Sequence, residues 1–361
     1  MPHAEEKCRE FTPELYPPFP DDTLVIDLPI VALSKLLNGN VAEQDKVFEA
    51  CTRRGFFYLE LGGCDAGETI LNGAGKIAAV SEGVFRLPLE EKMRYKQGKQ
   101  IFGYKWAGSS VGDQAGTRDT AEFFNVAQND MMAPDDRMRR PWPSEIMESK
   151  PLFASYSESA HFIGMTVLSV LAERLGIDPS EFANRHRIEE PSGDHVRLTR
   201  GPPRVVEEMA EVQTPSHTDG GTITILMNWL GGLQVWSESA RKAQLCNGQP
   251  DVPGEWQWVK PQAGCAIVNL GDAAVRFSDG RLCAGRHRVI PAPGVQGRWP
   301  RYSVVYFVRP EDCCVMTRIK RKDSTEEEEE EGEDGGEGER LTATEWIYKQ
   351  TLALGNNLDG D

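Results

Sequence analysis

Apolar residues recur every three or four positions through the first half of the chain and every second position beyond residue 195. The first spacing predicts helices and the second predicts strands. Val47, Phe48 and Cys51 mark a helix over 41–54, stopped by Gly55, and Phe56–Leu61 reads as a strand. A longer helix covers about 66–86, and another begins at Leu87-Pro88 with Glu90, Glu91 and Lys92. The longest stripe is Leu152, Tyr156, Ala160, Ile163, Val167, Leu171 and Leu175. It predicts a core-facing helix over about 148–175 that ends at Gly176, with a short turn starting at Asp178-Pro179. Strand-like pieces stand at Thr23–Leu28 and Glu122–Val126.

Beyond 195 the expected strands are 195–199, 222–228, 232–236, 256–260, 265–269, 303–308 and 313–318, separated by Gly/Pro-rich turns. A helical half followed by many short strands predicts an α+β protein with a barrel or jelly roll in its C-terminal half. The expected division is an extended lead-in over 1–22, a mostly helical region over 23–190 and a catalytic core over 191–320. An acidic disordered insertion over 321–340 and a terminal helix and tail over 341–361 complete it.

Charge changes the picture in one place. The chain of 361 residues carries a net charge of −16, which falls to −6 without the ten acids between Glu326 and Glu339. Nothing here provides the basic surface that nucleic acid or an anionic membrane requires. No run of about 18 apolar residues predicts a membrane span, and the start lacks the basic-then-apolar order of a signal peptide. A cytoplasmic protein is expected. Eight cysteines without a Cys-x-x-Cys pair predict reduced thiols, with Cys313 and Cys314 on opposite faces of a strand.

The candidate chemistry begins at His217-Thr-Asp219, just before a strand. On extended backbone, residues two apart point the same way, so imidazole and carboxylate can converge on one ion. Alone the pair is weak, since a loop His beside a turn Asp has the same appearance. His287 follows 68 residues after Asp219. Two His and one carboxylate on one face of a metal suit non-haem Fe(II), because the opposite positions stay open. Zinc is the other metal such ligands accept, though no His-Glu-x-x-His pattern occurs. Arg301 and Ser303 share a strand face and can hold a carboxylate; Arg276 and Ser278 have the same spacing with no role assigned. Of the other histidines, His161 is expected in packing, His186 on the surface and His195 in a structural place. Tyr104, Phe102 and Trp106 fit a loop over a substrate or ordinary packing equally well. Met227, Asn228 and Trp229 either line a cavity or fill the barrel.

In order and surroundings, the sequence resembles the 2-oxoglutarate/Fe(II) oxygenases related to isopenicillin N synthase. The resemblance is carried by His217-Thr-Asp-Gly-Gly-Thr222, Gly231-Gly-Leu-Gln-Val235, Ile267-Val-Asn-Leu-Gly-Asp272, His287-Arg-Val289 and Arg301-Tyr-Ser303. Val25-Ile-Asp27, Gly55-Phe-Phe-Tyr58, Leu87-Pro88 with Glu90-Glu-Lys92, and Gly103-Tyr104 extend it over about residues 23–354. It implies a double-stranded β-helix (jelly roll) with a helical N-terminal half packed around it. It also implies Fe(II) at His217, Asp219 and His287, and the far carboxylate of 2-oxoglutarate at Arg301 and Ser303. The implied activity hydroxylates, desaturates or cyclises a small organic molecule with O2, releasing succinate and CO2; a fungal secondary-metabolite intermediate is the expected substrate. Two departures stand out. Thr199-Arg-Gly-Pro202 replaces the family's Asn-Tyr-Tyr-Pro, and the stretch from His287 to Arg301 is a few residues longer than usual. Two rival readings are an oxidase that uses no 2-oxoglutarate, with Arg301 holding the substrate's own carboxylate, and a non-catalytic jelly-roll binding protein.

Overall fold

The computed structural model describes residues 11–98, 101–110, 118–204, 212–238, 254–322 and 340–353. Strands are numbered in chain order: β1 Ile30–Ala32, β2 Phe56–Glu60, β3 Gly103–Lys105, β4 Glu122–Ala127, β5 His195–Gly201 and β6 Thr214–His217. They continue as β7 Ile223–Asn228, β8 Leu233–Glu238, β9 Gly254–Trp258, β10 Cys265–Leu270, β11 His287–Val289 and β12 Arg301–Val308. Among the described residues these make an eight-stranded sheet, ordered β1-β2-β10-β7-β12-β5-β4-β3, and a four-stranded sheet, ordered β6-β11-β8-β9. The crossovers between the two sheets are those of a jelly roll, and four strands of the larger sheet come from the helical half.

The helices back the larger sheet. Helix α1, Leu33–Leu37, and α2, Val41–Arg53, pack beside β1, while α3, Asp65–Arg86, lies against the long α4, Lys150–Leu175. Tyr156, Ala160, Ile163, Val167 and Leu171 of α4 are buried, as their spacing predicts. Burying each of the larger side chains contributes about 1.5–3 kcal/mol before entropy is counted. Gly164 lets α4 lie flat on the sheet, because a Cβ there would come within 2.7 Å of Val308. Gly176 ends the helix in the left-handed region at φ 70°, and the Asp178 carboxylate accepts the Ser180 N–H at the start of α5, Pro179–Ala183. The terminal helix α6, Ala343–Ala353, forms where expected.

Several expectations fail. Thr23–Leu28 is no strand: only Val25 bridges to Trp258, and the chain joins the sheet at Ile30, after Pro29 has removed one N–H donor. Residues 313–318 pair only at Val315 with Thr342, so the chain ahead of the terminal helix takes the place of a sheet neighbour. Cys313 and Cys314 therefore do not straddle a strand. Five described cysteines are free thiols, whereas Cys283 is disulfide-bonded, against the expectation of reduced thiols throughout. The run from Glu326 to Glu339 lies outside the described residues. No described helix is long and apolar enough to cross a membrane.

Candidate active site

Two neighbouring strands of the small sheet bring the histidines together. In the β6–β11 register His287 lies directly opposite His217, and their rings stand 4.3 Å apart. The chain leaves β6 at His217 and turns Asp219 back toward both rings: Asp219 Oδ1 is 3.6 Å from His217 Nε2 and 3.8 Å from His287 Nε2. The three ligand atoms lie within 4.8 Å of one another, close enough to share one ion.

Hydrogen bonding fixes what each group offers. His217 Nδ1 faces the Pro215 carbonyl at 2.7 Å and His287 Nδ1 faces the Gly285 carbonyl at 3.0 Å. A carbonyl only accepts, so each Nδ1 carries the proton and each Nε2 presents a lone pair. Asp219 Oδ2 accepts from the Thr224 hydroxyl and the Asn269 amide, both at 2.7 Å, which leaves Oδ1 for the histidines. Three acceptors thus meet with no donor between them, an arrangement a cation completes. Burial and the His217 charge push His287 down to about 4. Asp219 is held well below the usual carboxylate range by the two imidazoles and its hydrogen bonds, against its burial. Behind it, burial and the Asp219 charge push Asp272 up to about 6, while the Thr218 hydroxyl donates to its carboxylate at 3.0 Å.

Arg301 and Ser303 come from the large sheet. The Arg301 guanidinium reaches toward the small sheet, donating from Nε to the Gly231 carbonyl at 2.9 Å and from Nη1 to Ser303 Oγ at 3.2 Å. Gly232, at φ 120°, permits the approach, since a Cβ there would lie 2.9 Å from Arg301 Cδ. No described carboxylate pairs with this buried arginine, so the residues fit the carboxylate of a cosubstrate. The long stretch before β12 buttresses the same spot: Gln296 accepts the Gly231 N–H at 3.0 Å and donates to the Pro17 carbonyl at 2.7 Å. Thr199, where the family's Tyr-containing motif differs, sits opposite Ser303 and lines the cavity. Arg276, the decoy, donates to the Met316 carbonyl instead.

Residues 28–145 match the non-haem dioxygenase in morphine synthesis N-terminal family, and 192–310 match the 2OG-Fe(II) oxygenase superfamily. A 2-oxoglutarate-dependent dioxygenase of Aspergillus fumigatus is 31% identical over 316 residues, covering 85% of this chain and 82% of that one. The chain belongs to the 2OG-Fe(II) oxygenase superfamily. Another 2-oxoglutarate-dependent dioxygenase, from a Dothideomycetidae species, is also 31% identical, over 81% of this chain and 84% of its own. A full-length Neurospora crassa protein, solved in complex with alpha-KG, superposes with a TM-score of 0.69 at 22% identity, covering 92% of this chain and 98% of that one. This oxygenase is therefore a 2-oxoglutarate-dependent dioxygenase, with Fe(II) and 2-oxoglutarate as its cofactors. The oxidase and binding-protein readings fall away.

A cavity opens in front of His217 and Asp219, lined also by Arg197, Phe307 and Arg309 and roofed by Ile347, Gln350 and Thr351 of α6. That helix is tethered by the Trp346 indole, which donates to the Gly220 carbonyl at 3.0 Å. Sequence reasoning missed Arg309 and the roof. The two-residue period of β12 runs from Arg301 through Ser303, Val305 and Phe307 to Arg309, and could have flagged that arginine. His186 is not on the surface: it is buried, with Nδ1 donating to the Phe182 carbonyl and Nε2 accepting from the Thr222 hydroxyl, both at 2.8 Å. His161 is buried against Asp194, and His195 stacks on Phe307 with its Nε2 unpartnered. Tyr104 is a packing residue, buried and donating to Glu122 at 2.6 Å.

Proposed function

We propose that His217, Asp219 and His287 hold Fe(II), that Arg301 and Ser303 hold the far carboxylate of 2-oxoglutarate, and that the substrate is a small secondary-metabolite intermediate. The observation that carries this reading is the meeting of two Nε2 lone pairs with one carboxylate oxygen, every other polar atom of those three side chains being engaged. When bound, iron with 2-oxoglutarate supplies the oxidant that removes hydrogen from the substrate, giving hydroxylation, desaturation or ring closure with release of succinate and CO2.

The chain's own residues position and shield. The Pro215 and Gly285 carbonyls hold the two imidazoles in one tautomer, and Thr224 and Asn269 hold the carboxylate in one rotamer. Arg301 supplies a planar, charged donor and Ser303 a hydroxyl beside it. Phe307 and Ile347 supply apolar walls that displace water from the cavity. The residues over 191–320 are, in this reading, the catalytic core. The fungal 2-oxoglutarate-dependent relatives support a fungal secondary-metabolite role.

The test is anaerobic titration of the full chain with Fe(II) and then 2-oxoglutarate, followed by succinate measurement on admitting O2. Fe(II)-dependent binding of 2-oxoglutarate and chelator-sensitive succinate formation are expected. Succinate formed equally well after chelation would sink the reading.

A further inference from the structure

That reading engages one buried guanidinium and leaves two more in the same interior, Arg309 buried and Arg197 half-buried, without an ion pair to a described carboxylate. Arg309 stands just beyond β12, eight residues from Arg301 and on the same side of the strand by its period of two. An extended strand separates their Cα atoms by roughly 26 Å, so the two cannot serve one small anion end-on. Arg197, on β5, joins Arg309 in lining the cavity with His217 and Asp219. Both differ from the usual buried arginine, which is paired with an acid.

Arg309 is buried, and its Nε and Nη1 have no hydrogen-bond partner. Arg197 donates from Nε to the Asn125 side-chain carbonyl at 2.8 Å, and its guanidinium is clamped between the rings of Phe123 and Phe307 at 4.2 and 4.7 Å. The acids nearby are committed elsewhere. Asp119 pairs with Lys105 and accepts the Gly108 and Ser110 N–H groups. Asp194 accepts the Arg309 backbone N–H at 2.6 Å and the Tyr306 hydroxyl at 3.1 Å, and it also faces His161. Asp219 faces the two histidines. Among the described residues, no carboxylate forms an ion pair with Arg197 or Arg309. A charge withdrawn from water without an ion-pair partner costs stability, so buried Arg309 and half-buried Arg197 beside an open cavity, which Asp219 and its neighbours reach only at longer range, form a place built for an anion.

We infer that Arg197 and Arg309 receive a carboxylate of the substrate, so that this enzyme acts on a small organic acid. The inference rests on the reading of the iron and 2-oxoglutarate sites above. Arg301 and Arg309 then hold two different carboxylates at opposite ends of β12, with the metal-ligand cluster facing the second. The planar edge of a guanidinium braced by aromatic rings suits a planar carboxylate. Phe123, Phe307 and Ile347 provide apolar surface for the rest of the molecule.

The experiment uses the full chain under anaerobic conditions, loaded with Fe(II) and saturating 2-oxoglutarate so that the Arg301 end is filled. Calorimetry follows benzoate, phenylacetate, indole-3-acetate and decanoate, each against its primary amide, together with phenyl phosphate. At least one acid is expected to bind about ten times or more tightly than its amide. Arg309→Met should weaken that acid roughly 10- to 150-fold, the loss of one hydrogen bond to a charged group, while leaving 2-oxoglutarate binding within about threefold. Arg197→Gln should weaken the acid in the same direction. Without ligand, Arg309→Met should melt at or above the wild-type temperature, because it removes an unpaired charge; a purely structural arginine would give the opposite result. The inference is overturned if no acid is preferred to its amide, if phenyl phosphate binds tighter than every acid, if Arg309→Met weakens 2-oxoglutarate instead, or if that variant is less stable. Failure of the wild type to bind 2-oxoglutarate in the loading step would overturn the underlying reading rather than this one.

Discussion

Two groups of buried histidines in this chain have similar surroundings and different consequences. His287 and His186 are both buried, both donate Nδ1–H to a backbone carbonyl, and both are pushed down to about 4, chiefly by burial. In the helical shell, the Nε2 of His186 accepts from Thr222 and its hydrogen bonding is complete. Inside the jelly roll, the Nε2 atoms of His217 and His287 face only each other's neighbourhood and Asp219 Oδ1. Burial and shifted acidity therefore do not separate a structural histidine from a metal ligand. What separates these two is what meets Nε2: the Thr222 hydroxyl finishes His186, whereas His217, His287 and Asp219 set three acceptors against one another, a convergence that His195, with its own open Nε2, lacks.

The sharpest way to break this contrast is to remove one imidazole from each group. His217→Ala should abolish Fe(II) binding and turnover, a loss on the order of a thousandfold or more, or about 4 kcal/mol, while far-ultraviolet circular dichroism stays unchanged. Iron-dependent turnover persisting in that variant would end the assignment. His186→Gln should keep its iron, measured by metal analysis.

The next effect tests the other unfinished place inside the barrel. Arg301→Ala should raise the apparent KM for 2-oxoglutarate roughly 10- to 150-fold, from the loss of a charged hydrogen bond worth about 1.5–3 kcal/mol. The KM for the substrate should change far less. Arg276→Ala, which removes only a bond to a backbone carbonyl, should leave both constants alone. Steady-state kinetics varying each reactant in turn decides the matter.

Acid should act on the finished group. The pKa of His186 is about 4 in the folded chain against an ordinary 6.5, so the unfolded chain binds its proton first as pH falls. Stability is unaffected above about pH 6.5 and is lost as pH drops from there towards about 4. At about pH 5.5 the contribution is about 1.4 kcal/mol. Denaturant unfolding of the metal-free protein at about pH 7.5 and about pH 5.5 should show His186→Gln losing less stability between the two than wild type. Equal losses would mean that His186 is not the proton acceptor.

The smallest effect lies outside both groups. Deleting Glu326 to Glu339 should leave turnover within about tenfold, or 1.4 kcal/mol, because ten like charges have no apolar surface to contribute to either region. A larger loss in the same kinetic assay would give the run a role in the catalytic cycle.

Much of this was legible in the chain alone. The helical stripe from Leu152 to Leu175 depends only on contacts within one helix and the core it faces, so its period survived folding unchanged. Arg301 and Ser303 share a face for a similarly local reason, the two-residue spacing of β12, and chain order marked His217, Asp219 and His287 as candidates, but Asp219 meets the histidines through a turn after β6 and not along a strand. What the sequence could not supply was partnership across it. His186 sits between two arginines and reads as surface, yet it is enclosed, and Thr222 completes it from 36 residues away. Thr23–Leu28 and 313–318 have the period of strands, but a strand exists only where another offers its N–H and C=O groups, and those neighbours were given to other segments. Arg309 likewise became notable only once β5, β12 and the terminal helix had enclosed it without an ion-pair partner among the described residues. Periodicity fixes which side a residue faces; only tertiary structure decides what meets it there, because hydrogen bonds and ion pairs are satisfied by atoms close in space whatever their separation along the chain.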